Sequence, residues 1–576
     1  MKIIVCTTPI RSVPTSYPPF GALAVIQSLQ RAGYSPTLLD IDALRPLFEE
    51  VVERLRREQP DLVAISAVVS TAYGYVKRLG PAIRAACPSS RIVLGGNLAA
   101  SAELLHRRCG IDVCVVGEGE RVIVNLVKYF EAHPTVNDFE ALNLIKGVTF
   151  LDAAGDVVFT GYEPALRADE FIDPDFEILE KSSKIERFVA DPFDREDFRQ
   201  DPRSHELHRA GKRMGTVVST KGCVARCTFC HRWDRGYRVV PPAAVVRRIK
   251  HLIDRYNVGF VLFGDENFGS DRRATEELIR LIKPLDILWQ VVGVRARTLD
   301  RSLLREMRDS GCTAVYCGFE TGSPDILGVM EKNLKLADNQ NAARAIFDAG
   351  LYTIYQFVLG MPGENFKTIR ETIEMVKGVT EFLQRPPNEH LSVNYIQALP
   401  GTPVYEYARA TGVIGNTADA EDEYLESISD VDAADDVKFL NFTQYPYLVV
   451  RTWRRWLYFD VTVHWYRQRR QREVSRRRGT THRQGGYFNM QQVRSPALLS
   501  VLAPVKWLPI WARTLVREYQ NSPRLLWTHM RELVVWLSRK QSGMRDTRSL
   551  RKVMNDMAPE PTTPSERNLM PLRQGR

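Results

Sequence analysis

Residues 217–233, VVSTKGCVARCTFCHRW, place Cys223, Cys227 and Cys230 within eight residues of a 576-residue chain that has nine cysteines. Thiolates at spacings of four and three are a ligand set. A structural zinc site wants four ligands, commonly as two separated pairs. His231 could complete it, but it adjoins Cys230 and no second cysteine pair lies nearby. A disulfide would strand one thiol. A cubane [4Fe–4S] cluster takes one ligand per iron, so three thiolates leave one iron open to a substrate or cofactor. The cluster is the favoured reading, with zinc and a purely structural set beside it.

The elements that must position these cysteines recur from residue 214 to 405. A strand, GTVVST, runs directly into the cysteine loop, and a helix, PPAAVVRRIKHLIDRY, follows. The strand-then-helix pattern repeats six times in about 190 residues. It predicts a parallel, partial (β/α)6 barrel with its chemistry on the loops after the strands. The residues at those strand ends are Asp265 and Glu266, Arg295, Glu320, and the LGMPGE turn with Gly360. Each taken alone reads as a barrel-rim salt bridge or a turn. Together they converge on one mouth.

The Cys-x3-Cys-x2-Cys motif, with Phe229 before its last cysteine, resembles that of radical S-adenosylmethionine (SAM) enzymes. FGDENF, CGFETGSPDIL, QFVLGMPGE and ALPGTPVYEYA resemble the strand ends of the cobalamin-dependent branch. The resemblance implies that Cys223, Cys227 and Cys230 hold a [4Fe–4S] cluster whose open iron binds SAM. It implies SAM contacts from Glu320 and Arg295, the latter through a bidentate pair with the SAM carboxylate. Phe229 and the loop at Gly360 are expected near adenine. Asp265 and Glu266 stand where much of the wider family has Gly-Gly-Glu, so either could face SAM.

Residues 1–140 alternate strands and helices, and the strands are apolar throughout. That pattern predicts a doubly wound parallel sheet covered on both faces. Glycines and polar residues fall where strands end, at Gly95, Gly96 and Asn97, and at Gly117, Glu118, Gly119 and Glu120. Ligands of such sheets sit there. There is no GxGxxG after the first strand, which argues against a dinucleotide. YPPFGALAVIQSLQRAGY, VAISAVVST, VLGGNLAAS and VVGEGE resemble a cobalamin-binding domain. The Asp-x-His-x-x-Gly of the mutases is missing, since His106 and His133 lie in no such motif. The expectation is therefore cobalamin with no histidine on its lower face, and with Ser66 and Ser70 lining the base pocket.

Residues 141–213 read as a connector: a hairpin in GVTFLDAAGDVVFTG, then a polar, Pro-punctuated stretch between domains. Residues 406–555 read as a mainly helical, basic, Trp-rich domain, and 556–576 as a disordered tail by composition. From Asn441 onward there are 26 Lys+Arg and 8 Asp+Glu, against totals of 79 and 69; the tail carries +18 and residues 1–440 carry −8. Three readings of the tail compete: a helical lid on the barrel, a monotopic membrane surface, and a nucleic-acid face. No recognition motif supports the third, and no nucleic-acid partner is expected. The run at 497–511 is too short and broken to span a membrane.

The chain opens on an apolar strand, MKIIVCTTPI, and its cysteines number nine, several within apolar runs. Both features predict free thiols in the cytoplasm, with membrane association through the C-terminal block as a variant. The expected activity is methylation of an unactivated carbon of a small metabolite, anionic or lipid-like, with an external flavodoxin- or ferredoxin-like electron donor. Rearrangement, cyclisation or oxidation within the same family is the alternative, and a zinc- and nucleic-acid-binding protein a remote one.

Overall fold

In a computed structural model of the chain, residues 1–134, 138–231, 236–383, 386–429, 439–479 and 523–538 are described. The run at 497–511 and the tail from 556 lie outside them.

Five short apolar strands build the first sheet: β1 (Ile3–Thr7), β2 (Thr37–Leu39), β3 (Leu62–Ser66), β4 (Arg91–Gly95) and β5 (Val113–Val115). They are parallel and run in the order β2-β1-β3-β4-β5. Nearly every residue of these strands is buried, because helices cover both faces. The hairpin expected after residue 141 forms as β6 (Val148–Leu151) and β7 (Val157–Phe159). It adds antiparallel to β5, so the sheet has seven strands and extends past residue 140.

The second sheet holds β8 (Arg213–Val217), β11 (Val258–Phe263), β12 (Leu288–Val294), β13 (Cys312–Glu320), β14 (Tyr355–Leu359) and β15 (Leu391–Tyr395), reached after a small antiparallel pair, β9 (Thr220–Gly222) and β10 (Tyr237–Val239). The six are parallel and neighbour one another in chain order, as a partial barrel requires. Burial alternates along β14, β15 and the second half of β13 with the period of two that a pleat imposes, while β11 is buried throughout. Val261, Phe263, Trp289, Val291, Val315, Cys317, Phe319 and Phe357 pack outward into the helical layer. Tyr316, Gly318, Val358, Ser392 and Asn394 are only partly buried, and Gln356 is exposed. These residues line the lumen.

The polar stretch expected to wrap between the domains instead closes the barrel's base. Phe198 is fully buried against Met214, Phe260 and Leu288, at the starts of β8, β11 and β12. Its ring meets Phe260 edge-on at 5.0 Å.

The two domains share their cores. Ile4, Leu39, Val63, Ile92 and Leu98 of the first belong to one apolar cluster with Met330, Met361, Ile396 and Tyr405 of the second. Helix Ala418–Ser427 adds a polar clasp: Lys77 pairs with Asp422 at 2.8 Å and Glu426 at 2.9 Å. The basic C-terminal block contributes a long helix, Tyr447–Gly479, that lies along helix Phe366–Thr380. It buries a stripe at near-helical spacing, Val450, Trp453, Leu457, Val461 and Trp465. Tyr395 Oη donates to Val450 O at 2.8 Å, which ties this helix to β15. This is the packing of a helix on the barrel. No helix among the described residues is long and apolar enough to cross a membrane.

Candidate functional site

The cysteine loop is cinched at its stem by β9 and β10, whose pairing sets Gly222 opposite Tyr237. At its middle, Thr228 is fully buried. Its N–H donates to Met330 O at 2.9 Å and its hydroxyl to Val329 O at 3.0 Å, and its carbonyl accepts from Val404 N at 3.0 Å. One small β-branched residue thus nails the loop to two remote segments. Around it, Cys227 is buried, Cys223 partly buried and Cys230 open at the surface of the mouth. The Ala225 N–H donates to Cys223 Sγ at 3.4 Å. Desolvation raises the Cys227 thiol, which Lys332 and Arg295 oppose. Enclosure by the surrounding protein, then Cys227 and Cys223, push Cys230 up to about 12. The three thiols therefore feel one another, and losing their protons needs a positive partner.

Glu320, Arg295 and Phe229 meet around a residue the sequence had not singled out. Lys332 Nζ donates to Glu320 Oε1 and lies 5.9 Å from the centre of the Phe229 ring. Arg295 Nη2 donates to Lys332 O at 2.7 Å. Glu320 has a left-handed backbone, φ 64°, unusual for a residue with a β-carbon. Its carboxylate folds back over Gly318, where a Cβ would stand 2.1 Å from Glu320 Oε1. The glycine two residues before a strand-end glutamate was the available signal. Lys332 had none, because it follows a short helix, Pro324–Val329, outside any strand end.

Asp265 and Glu266 part company. Asp265 is buried, and its carboxylate accepts from Ser219 N at 2.8 Å, Ser219 Oγ at 3.0 Å, Thr220 Oγ1 at 2.7 Å and Thr220 N. It braces the turn from β8 into the cysteine loop. Burial, against those hydrogen bonds, raises it to about 6. Glu266 is exposed at the mouth, near enough to Cys230 to raise that thiol. Gly360 turns the chain after β14 at φ 89°, and its N–H donates to the buried Glu364.

At the carboxyl edge of the first sheet, Gly96 adopts φ 98°; a Cβ there would lie 2.4 Å from Ala67 O. Ser66 ends β3 beside Gly95, and Ser70, 1% exposed, has a hydroxyl with no hydrogen-bond partner among the described residues. Gly117, at φ 93°, and Gly119 lead into helix Glu120–Ala132. Glu118 and Glu120 are engaged across the domain boundary: Glu118 with Lys221 at 2.8 Å and Arg238 at 2.9 Å, Glu120 with Lys221 at 3.1 Å. His106 is spent on Ile111 O and Thr149 Oγ1, and His133 stacks on Tyr129. His231 lies against the backbone of Asn97 and of Pro400, and its burial lowers it to about 4. The residue beside Cys230 thus sits between the Gly96–Asn97 turn of one domain and the strand-end loop of the other. The two mouths face each other.

Residues 217–376 match the Radical SAM superfamily and residues 7–127 the B12 binding domain. The chain thus carries a radical SAM domain and, N-terminal to it, a B12-binding domain. It is 31% identical over 374 residues to an anaerobic magnesium-protoporphyrin IX monomethyl ester cyclase of Cereibacter sphaeroides, covering 62% of this chain and 56% of that one. It is 26% identical over 438 residues to an uncharacterized methyltransferase of Pyrococcus horikoshii, covering 72% and 84%. Among solved structures, the radical SAM methyltransferase TsrM of Kitasatospora setae, with tryptophan and a SAM analogue bound, superposes with a TM-score of 0.55 at 16% identity, over 72% of this chain and 76% of that one. The chain spans 56% and 62% of the lengths of two cyclase relatives it matches.

The cofactors of these two domains are a [4Fe–4S] cluster, SAM and cobalamin. The residues present fit them. Among the described residues no group of three His, Cys, Asp or Glu converges as for a single metal ion. A four-iron cube asks for something else, one thiolate per iron around a volume. The three thiols of a single pinned loop are of the type and number such a set needs. The glycine-lined sheet edge with the orphaned Ser70 hydroxyl offers a flat, polar-floored cradle.

Proposed function

We propose that the chain methylates an unactivated carbon of a small molecule in a cobalamin-dependent radical SAM reaction. The observation that carries this reading is the ion-pair set of Glu118 and Glu120 with Lys221 and Arg238, which sets the edge of the B12-binding domain against the stem of the cysteine loop. When bound, the cluster with SAM supplies a hydrogen-abstracting radical, and cobalamin supplies the methyl group. The chain's residues hold and orient. Cys223, Cys227 and Cys230 ligate three irons. Glu320 and Arg295, braced by Lys332, orient the polar end of SAM, while Phe229 and the Gly360 turn flank its adenine. Glu266 faces the mouth; Asp265, saturated by its own donors, holds the loop. Ser66, Ser70, Gly95, Gly96, Asn97, Gly117 and Gly119 line the cobalamin edge, and Glu118 and Glu120 anchor it to the barrel. The shared apolar core excludes water between the mouths. Electrons come from a flavodoxin- or ferredoxin-like donor.

The deciding assay uses methyl-labelled SAM under anaerobic reduction. Label transferred to a product supports methylation. Label found only in methionine overturns it and favours the second reading, a cyclisation or other radical oxidation, which the cyclase relative supports.

Peripheral membrane contact is supported by helix Pro523–Ser538. It turns His529 and Trp536 onto Tyr447 and Tyr445, at 4.4 and 6.1 Å between rings. Its other side exposes Trp527, Met530, Val534 and Leu537, spaced at three and four residues, within a block of charge +18. Trp with basic residues on such a face is an interfacial composition.

A further inference from the structure

The base of the barrel carries a cation that the chemistry at the mouth does not use. Arg195 comes from the connector, four residues from the start of the plug at Asp191, and its side chain enters the lumen beneath the strands. Its Nη2 donates to Gln290 Oε1 at 2.9 Å. Its guanidinium carbon lies 5.8 Å from the centre of the Tyr316 ring. Asp197 is 3.8 Å from its Nε, beyond hydrogen-bonding distance. That carboxylate is already occupied, accepting from Tyr316 Oη at 3.1 Å and Thr313 Oγ1 at 3.2 Å.

A guanidinium has five N–H donors; here one goes to Gln290 Oε1 and a further hydrogen bond engages Tyr316. Gln290 is fully buried, yet its Nε2 has no hydrogen-bond partner among the described residues. A buried amide donor left without an acceptor is destabilising, so the site gains by taking one. Arg195 itself keeps 27% of its side chain exposed. Tyr17 of the first domain comes to Gly264, at the carboxyl end of β11, and acts electrostatically on Arg195. The Arg195 guanidinium and the unmatched Gln290 Nε2 thus stand side by side, with Asp197 as the nearest carboxylate.

We propose that Arg195, with Gln290 Nε2 beside it, binds an oxyanion of the substrate, a carboxylate or a phosphonate. The inference rests on the barrel reading above and names its substrate class. Tyr316 and Glu320 lie four residues apart on β13, about 13 Å at the rise of a strand. The anion is therefore held at the base while the reacting carbon stands near the mouth. Arg195 is a specificity-determining residue, not a catalytic one.

The test measures binding without turnover. Full-length protein, reconstituted with cluster and cobalamin, is titrated with methylphosphonate by phosphorus NMR line broadening and with labelled propionate by carbon NMR. Wild type binds one probe saturably, and the probe that binds identifies the anion. Arg195→Met weakens it about tenfold or more, the loss expected for a charge-assisted hydrogen-bond pair. Arg195→Lys, which keeps the charge and loses the fork, falls between. Iron content and cobalamin absorbance stay at wild-type values in both. Unchanged binding in Arg195→Met, or no saturable binding of either probe to wild type, overturns the assignment. If Arg195→Met does not fold, Arg195→Lys decides alone, and wild-type binding by it overturns the assignment. Labelled-methyl transfer is scored separately, so failure of anion binding is distinguishable from failure of the proposed reaction.

Discussion

Lys332 and Glu320 form a buried ion pair at the end of β13, with exposures of 8% and 9%. The pair sits under Cys227, where Lys332 and Arg295 both favour the thiolate. Burying two charges is costly unless each is matched, and removing one partner of a buried pair costs about 3–5 kcal/mol. Lys332→Met should therefore lower the thermal midpoint more than Lys332→Met combined with Glu320→Gln. Equal losses in the single and double variants would show that the pair contributes no coupling.

Cys227→Ala should abolish SAM cleavage, read as 5′-deoxyadenosine formation, and lower the iron content. Cobalamin absorbance should remain, because the B12-binding domain keeps its own sheet and edge. Loss of both cofactors together would show that the loop supports the first domain structurally.

Gly96→Ala should weaken cobalamin binding with little effect on iron. The added Cβ would meet Ala67 O at 2.4 Å in a left-handed backbone, so the turn must move. Such strain costs on the order of 1–3 kcal/mol. Equilibrium dialysis with cobalamin checks it; unchanged affinity would remove this turn from the site.

Glu364 gives a pH dependence with a definite sign. Burial lifts its carboxyl from 4.5 to about 8, against hydrogen bonds from the Gly360 and Met361 backbone. The folded state then holds a proton that the unfolded chain has released. Its contribution is complete below pH 4.5 and is lost as pH rises through 8, on the order of 5 kcal/mol at most. Glu364→Gln should flatten the stability profile over that window and raise the denaturation midpoint at pH 9. A parallel wild-type and variant profile would mean the carboxyl is ionised in the fold.

Trp527→Ala with Leu537→Ala should reduce co-sedimentation with vesicles of anionic phospholipid, and salt should reduce it further as surface charges are screened. Equal sedimentation of wild type and variant would take the membrane role away from this helix.

The cysteine triplet, the strand ends and both parallel sheets were legible in the chain itself. Their signals are local: thiol spacing, apolar runs and glycines where strands stop. What could not be read locally is which way a strand-end side chain turns and what comes from far along the chain to meet it. Asp265 and Glu266 are equivalent acids in sequence, and only Ser219 and Thr220, some 45 residues earlier, make one a brace. Glu118 and Glu120 stand at a strand end like ligands, yet Lys221 and Arg238 arrive from the other domain to engage them. Lys332 carries no motif, and Arg195 lies in a polar stretch without periodicity. Pairing, burial and the path of the connector under the barrel are long-range events. Residue types and spacing determined the candidate chemistry; the tertiary fold decided which charges are spent on holding the protein together and which stand free to meet a ligand.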